Sequence, residues 1–356
     1  MNLLQGLQHI DAENQYYLFI GRDTKHLFNI TAPNFHPIYL SLSHDPRWLM
    51  RPLYYAWQNS LIAFQLKKYQ IDVLHLPNLL PHFVRFVPTV VSILDLTEYK
   101  SAKYAPLRQS YRKLLPHVLA KTADRILTIS NSSKRDIHEI TGMDLDRIDV
   151  SYLASMLDET TKSSFSVSEL PATVNSDYIL CVGSALPHKN MQRVLSAFVN
   201  LKHQNAIHHK LVLVGNRKQN AQLLEEAHIS HTLSQEIILT GYVSDEELSA
   251  LYRKATVFVY PSLYEGFGLP ILEAMTCGAP VITSNVSSLP EVAGNAAILV
   301  DPYSEQEIAQ AILTIVHDNS FRQQLITKGI EQAQKFSWEQ CAIQTLSTYA
   351  KAASSS

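Results

Sequence analysis

The chain has 356 residues, of which 46% are hydrophobic and 17% charged, with a formal net charge of -2. That length exceeds one ordinary domain and fits two, and the near-neutral balance excludes a protein drawn to nucleic acid by bulk charge. The three cysteines, Cys181, Cys277 and Cys341, are isolated; this excludes a disulfide framework and a Cys-x2-Cys metal site and fits a reducing cytoplasm. No apolar run approaches the ~18 residues that span a bilayer, and no secretory leader is recognisable at Met1.

In chain order, the first element is a helix, because the leucines of Asn2-Leu3-Leu4-Gln5-Gly6-Leu7-Gln8-His9-Ile10 recur at helical spacing. A strand is expected over Gln15 to Ile20, and the aromatic run Trp48 to Tyr69 suits a helix packed on a sheet. Two short apolar runs follow, Val73-Leu74-His75-Leu76 and Val90-Val91-Ser92-Ile93, which place His75 and Asp95 at strand ends. From Tyr99 to Lys121 the chain carries Lys100, Lys103, Arg108, Arg112, Lys113 and Lys121 with no acidic residue, interleaved with Tyr99, Tyr104 and Tyr111. Such a run is either a solvated helix face or a surface for anionic lipid headgroups or a lipid diphosphate. Asp144-Leu145-Asp146 spells an Asp-x-Asp metal signature, but it lies between a helix and the strand Ile148 to Tyr152 and is read as chance. None of the fifteen histidines has zincin spacing, so no metal is expected.

The polar run Thr160 to Ser168, ahead of Pro171, places a domain boundary near residue 165. Beyond it, Tyr178-Ile179-Leu180-Cys181-Val182 reads as a buried strand ending in Gly183-Ser184, a loop through His188-Lys189-Asn190 and an amphipathic helix from Met191. Lys210 to Val214 repeats the pattern, ending in Gly215-Asn216. Ser244 with Glu247 three residues on is a capping box for the next helix, just after Tyr242-Val243.

The most informative segment is Tyr260-Pro261-Ser262-Leu263-Tyr264-Glu265-Gly266-Phe267-Gly268-Leu269-Pro270-Ile271-Leu272-Glu273, preceded by the apolar run Ala255 to Val259. It reads as a strand, a tight glycine turn, a helix with Pro270 in its first turn and Gly278 past its end, then a strand. Backbone N–H groups at a helix start beside the carboxyl ends of parallel strands suit an anion. Carboxylates on either side of a phosphate suit hydroxyls, a sugar diol at one end and a ribose diol at the other. The residue pattern therefore points to a nucleotide sugar.

Glu265-x7-Glu273 within PSLYEGFGLPILEAM, with GAPVITSNVSSLPEVAG and ILVDP downstream and VGSALPHKN upstream, resembles the retaining glycosyltransferases of family 4, in their mannosyltransferase-like branch. The resemblance implies a GT-B fold: two Rossmann-like doubly wound α/β domains facing a central cleft. The acceptor-side domain is then expected over 1–165, completed by a helix over 337–351 that crosses back, and the nucleotide-sugar domain over 166–336, with 352–356 disordered. By resemblance Glu265 contacts the donor hexose, the amides of Gly266, Phe267, Gly268 and Leu269 the diphosphate, Glu273 the ribose, and Lys189 the departing diphosphate. Gly183, Ser184, Asn216, Tyr242 and Val243 complete the expected nucleotide site. Asp95 is the expected catalytic residue of the first domain, and His75 is a candidate on the acceptor side.

The implied reaction moves a hexose, mannose from GDP-mannose, to a growing cell-surface glycan or lipid-linked acceptor, with no cofactor and no nucleic-acid partner. The implied location is the cytoplasm, peripheral at the inner face of the plasma membrane if the 99–121 run binds lipid. Three features depart from the family. Ser184 replaces a frequent arginine, Leu94 stands where many relatives have histidine, and the opening strand and glycine-rich loop that precede the first helix in relatives are not present. The last two keep a catalytically weakened nucleotide-sugar-binding protein open as an alternative, beside a nucleotide-sugar epimerase of the same architecture.

Overall fold

The computed structural model describes residues 1–40, 51–78, 86–100, 110–157 and 176–354. They fall into two units, Met1–Leu153 with Ser337–Ser356, and Ala154–Phe336. The division comes before the expected residue 165: Ala154 and Leu157 are already buried and belong to the second unit. The polar run that set the expectation lies outside the described residues.

In the first unit, β1 (Tyr16–Gly21) and β2 (Phe35–Leu40) form a parallel pair with Tyr16 opposite Phe35. β3 (Leu74–Leu76), β4 (Thr89–Ser92), β5 (Arg125–Thr128) and β6 (Ile148–Val150) form a separate parallel sheet in that order. Among the described residues no strand joins the two sheets, so one edge of β1 and one edge of β3 have no ladder partner.

Side chains bridge what the backbone does not. Phe19 of β1 packs against the core of the larger sheet, which contains Leu74, Leu76, Val91, Ile93 and Ile126. The closing helix Trp338–Ala353, capped by Ser337 on the Gln340 amide, covers both sheets. Its Ala342 sits with Leu7 and Phe35, while Ala352 and Tyr349 sit with Val90 and Leu127. In the Asp-x-Asp segment, Asp144 precedes the 3-10 turn Leu145–Arg147, which leads into β6. The expectation of disorder from 352 is corrected, since Ala352 is fully buried and Ala352 and Ala353 end the helix. The reason is a small side chain that fits against the sheet, which composition alone does not reveal.

The second unit is one six-stranded parallel sheet: β7 (Tyr178–Val182), β8 (Lys210–Val214), β9 (Ile237–Gly241), β10 (Val257–Tyr260), β11 (Val281–Ser284) and β12 (Ala297–Val300). Its spatial order, β12-β11-β10-β7-β8-β9, reverses direction between β7 and β10, the doubly wound arrangement whose ligands sit above that reversal. β7, β8 and β10 are almost wholly buried, as strands covered by helices on both faces require. The helix Asp245–Lys254 opens with the expected capping box of Ser244 and Glu247.

Gly6 marks where the first and last helices touch: a Cβ there would lie 2.5 Å from the Trp338 carbonyl oxygen. Gly6→Ala is expected to destabilise the first unit by about 1–3 kcal/mol through overpacking. Calorimetry should show two transitions, the lower one belonging to the split-sheet unit, and only that one should fall in the variant. A single transition, or equal shifts in both, would contradict the assignment.

Candidate active site

The loops after β7 and β10 flank the reversal point and are tied together by buried side chains. Lys189 ends the 3-10 turn Pro187–Lys189, and Asn190 follows at φ 58 before the helix Met191–His203. Asn190 is 3% exposed, and its Nδ2 donates to the carbonyls of Pro261 (2.9 Å) and Pro302 (2.7 Å). The Leu263 amide donates to the His188 carbonyl at 2.7 Å. The Lys189 loop and the Glu265 loop therefore move as one piece.

A second set of bonds shapes the glycine turn. Ser287 Oγ donates to the Glu265 carbonyl (2.6 Å) and accepts from the Glu265 amide (2.9 Å). Ser288 Oγ contacts the carbonyls of Glu265 and Phe267, both at 2.9 Å. Gly268 has φ 104 and a Cβ would meet Leu289 at 2.8 Å, so only glycine fits where the helix Leu269–Thr276 begins. In the first turn of that helix Pro270 carries no N–H and the Ile271 amide donates to the Gly268 carbonyl at 2.9 Å, so the helix start at the carboxyl end of β10 is tightened by its own glycine.

Charge converges on the same place. Lys189 Nζ donates to Glu265 Oε1 (2.8 Å) and to the Tyr260 hydroxyl (2.6 Å), and Tyr260 donates to the same Glu265 oxygen (2.7 Å). The three form a closed triangle in which Lys189 and Glu265 keep 20% and 13% of their side-chain exposure. Burial, and then the Glu265 charge, hold the Tyr260 phenol well above its ordinary pKa, so it stays a neutral donor. Glu273 is one helical turn further on. Burial raises its carboxyl to about 7, opposed by a long hydrogen bond from the fully buried Tyr252 at 3.4 Å.

The remaining predicted nucleotide residues lie at the ends of β7, β8 and β9. Gly183 donates to the Val214 carbonyl, and Ser184 sits in the loop that follows. Asn216 uses its side chain to cap the helix Arg217–Glu226 on the Gln219 amide. Tyr242 is 79% exposed, and with Val243, Arg217 and Glu247 it lines a recess of about 540 Å³. Sequence reasoning missed Tyr260, Asn190, Ser287 and Ser288; the last two were visible as the serines of SNVSSLP, whereas Asn190 and Tyr260 looked like loop and strand residues.

Two predicted residues belong to the first unit. His75 gives both ring nitrogens away, Nδ1 to the Tyr349 hydroxyl (2.7 Å) and Nε2 to Ser92 Oγ (2.8 Å). Burial pushes its pKa down to about 4, so the ring is neutral and holds the closing helix to β3 and β4. Asp95 Oδ1 accepts from the Thr97 amide, and Leu94 beside it is 45% exposed. Of the basic run 99–121, residues 101–109 and the side chains of Lys100, Arg112 and Lys113 lie outside the described residues. No helix among the described residues is long and apolar enough to cross a membrane.

At the opposite, amino-terminal edge of the second sheet, Asp177, His208 and His209 bring ligand-type atoms within 4.8 Å of one another. Arg322 and Lys202 act on the same group of side chains. His209 is buried, and its pKa is lowered to about 4 chiefly by that burial.

A doubly wound sheet with a lysine, two glutamates and a helix start gathered at its reversal point, in a chain that also carries a parallel α/β unit of its own, has the architecture of a GT-B glycosyltransferase. The family descriptions agree: "Glycosyl transferases group 1" matches residues 165–332 and "Glycosyltransferase Family 4" matches residues 11–154. The O-antigen chain mannosyltransferase B of Escherichia coli is 37% identical over 292 residues, 81% of this chain and 76% of that protein. The O-antigen chain mannosyltransferase RfbU of Salmonella typhimurium is 31% identical over 59% of this chain and 56% of its own length. Among solved structures, sucrose-phosphate synthase from Thermosynechococcus elongatus has a TM-score of 0.73 at 20% identity, covering 99% of this chain and 92% of that one. The chain belongs to the family 4, group 1 glycosyltransferases.

Two consequences are measurable. Asn190→Ala leaves two carbonyls without their donor in a buried site and should cost about 2–4 kcal/mol of stability in the second unit, read by denaturant melts. Glu273 carries a raised folded pKa, so below pH ~4.5 both states are protonated and it has no effect. As pH rises from there to about 7 the unfolded chain ionises while the folded one does not, and stability declines. Glu273→Gln should flatten that decline between pH 4.5 and 7; an unchanged slope would mean the carboxyl titrates normally.

Proposed function

We propose that the chain transfers mannose from a nucleoside diphosphate sugar, GDP-mannose first, to a growing surface glycan or lipid-linked acceptor, with the anomeric configuration retained. The observation that carries this reading is the Lys189–Glu265 pair set beside the first turn of Leu269–Thr276. An ammonium and the backbone N–H dipoles of the glycine turn can take up the charge of a departing diphosphate, which makes a metal ion unnecessary. Glu265 suits a hexose hydroxyl, Glu273 the ribose diol, and Tyr242 and Val243 the base. Similarity to two O-antigen chain mannosyltransferases supports the sugar and the acceptor class.

In the proposed reaction the bond between the anomeric carbon and the phosphate oxygen lengthens first, and the sugar gains oxocarbenium character. The acceptor hydroxyl attacks from the same face, its oxygen bonding to the anomeric carbon while its proton passes to the leaving phosphate oxygen. We place the protein in the cytoplasm, where nucleotide sugars are available to it. The competing reading, binding with weakened catalysis, rests on Leu94, whose side chain has no polar atom to offer a donor sugar.

The test incubates the protein with GDP-, UDP- and ADP-sugars, with and without an acceptor glycan. Acceptor-dependent glycoside from GDP-mannose, with retained configuration by NMR and a rate unchanged by a chelator, is the expected result. An isomerised donor, or binding without product, would replace this reading with the epimerase or the binding protein. Lys189→Ala should lower kcat by about 100- to 1,000-fold, as loss of a preorganised charge-stabilising donor does. Glu273→Ala should raise the donor KM instead.

A further inference from the structure

We infer that the Tyr260 hydroxyl is a positioning group for transfer, fixing the Lys189 ammonium against Glu265 so that its remaining N–H is presented to the leaving diphosphate. This rests on the glycosyltransferase reading of the site and adds a residue whose role the motifs do not assign.

The argument begins with the side chain's place in the core. Tyr260 is the last residue of β10 and is 1% exposed, its ring stacked 5.7 Å from that of Phe258. A phenylalanine would fill that space as well, and a buried hydroxyl is a cost unless it is bonded. Here the hydroxyl meets two charged groups of the site, donating to Glu265 at 2.7 Å and accepting from Lys189 at 2.6 Å. Its backbone is held independently, since the Tyr260 carbonyl accepts from Thr283 Oγ1 at 2.9 Å. Strand geometry thus fixes the phenol, and the phenol fixes the flexible lysine.

An ammonium has three donors. Two are committed, to Tyr260 and to Glu265, which sets the direction of the third by tetrahedral geometry. With Glu265 alone, the long lysine side chain could rotate about a single hydrogen bond. The second anchor removes that rotation before the donor arrives, so the orienting cost is met in folding rather than in each turnover. Tyr260 also keeps Glu265 bonded while Lys189 is drawn toward phosphate, so the carboxylate is never left as an unpaired, largely buried charge.

The experiment compares wild type, Tyr260→Phe, Lys189→Met and the double variant, using the sugar nucleotide that wild type turns over fastest. Tyr260→Phe is expected to lower kcat about tenfold, the size of one hydrogen bond to a charged group. Donor KM and the Kd of the free nucleoside diphosphate should stay within about twofold, because the binding contacts remain. In the Lys189→Met background the same substitution should lower kcat by less than about twofold, since the group it positions is gone. Incorporating 3-fluorotyrosine at position 260, which restores ring and hydroxyl, should recover the wild-type rate and separates loss of the hydroxyl from misfolding. Equal tenfold losses in both backgrounds, or a Tyr260→Phe kcat matching wild type, overturn the proposal alone. A wild-type chain that transfers no sugar from any nucleotide ends the underlying reading and the proposal with it.

Discussion

The site depends on one constraint: two loops from different strands must hold a cation and a carboxylate at hydrogen-bond distance in a mostly buried place. Neither loop can do this alone. Asn190 reaches from the β7 loop to the carbonyl of Pro261 in the β10 loop and to that of Pro302, while Ser287 and Ser288 clamp the glycine turn from the β11 side. These neutral bonds do the holding, so the charged pair itself carries no structural load and is available for a ligand. Stability is placed in amides and hydroxyls, which leaves Lys189, Glu265 and Glu273 for the chemistry proposed for the site.

The second unit was legible in the sequence because its signals are local. Short β-branched runs, glycine at the strand end, Pro270 in the first helical turn and the Ser244–Glu247 box each determine structure within a few residues. The site's support was harder to read. Asn190 acts through carbonyls 71 and 112 residues away, and no local spacing announces such contacts. Tyr260 was hidden in plain view, reading as one more apolar strand residue until its hydroxyl was seen to face two charges. His75, a candidate from its place at a strand end, shows the same limit: its partner Tyr349 lies 274 residues later in the chain.

The first unit shows how a fold accommodates a missing ladder. Among the described residues the two parallel sheets share no ladder, but Phe19 packs on the core of the larger sheet from the smaller one, and helix packing spans the join. Apolar contact is non-directional and tolerates such a gap, whereas the strand edges bordering it gain nothing from packing. The separation of the two sheets therefore appears in the topology rather than as a collapse of the unit.

The closing helix has a consequence for biogenesis. Trp338–Ala353 supplies the wall common to both sheets of the first unit, yet it follows the whole of Ala154–Phe336 along the chain. On the ribosome, the downstream unit has all its strands before the upstream one has received its lid. Assembly order is thus inverted relative to chain order, and the amino-terminal sheets must wait, with the bare apolar surface around Val90 and Leu127 uncovered, until the final turn of that helix clears the exit tunnel.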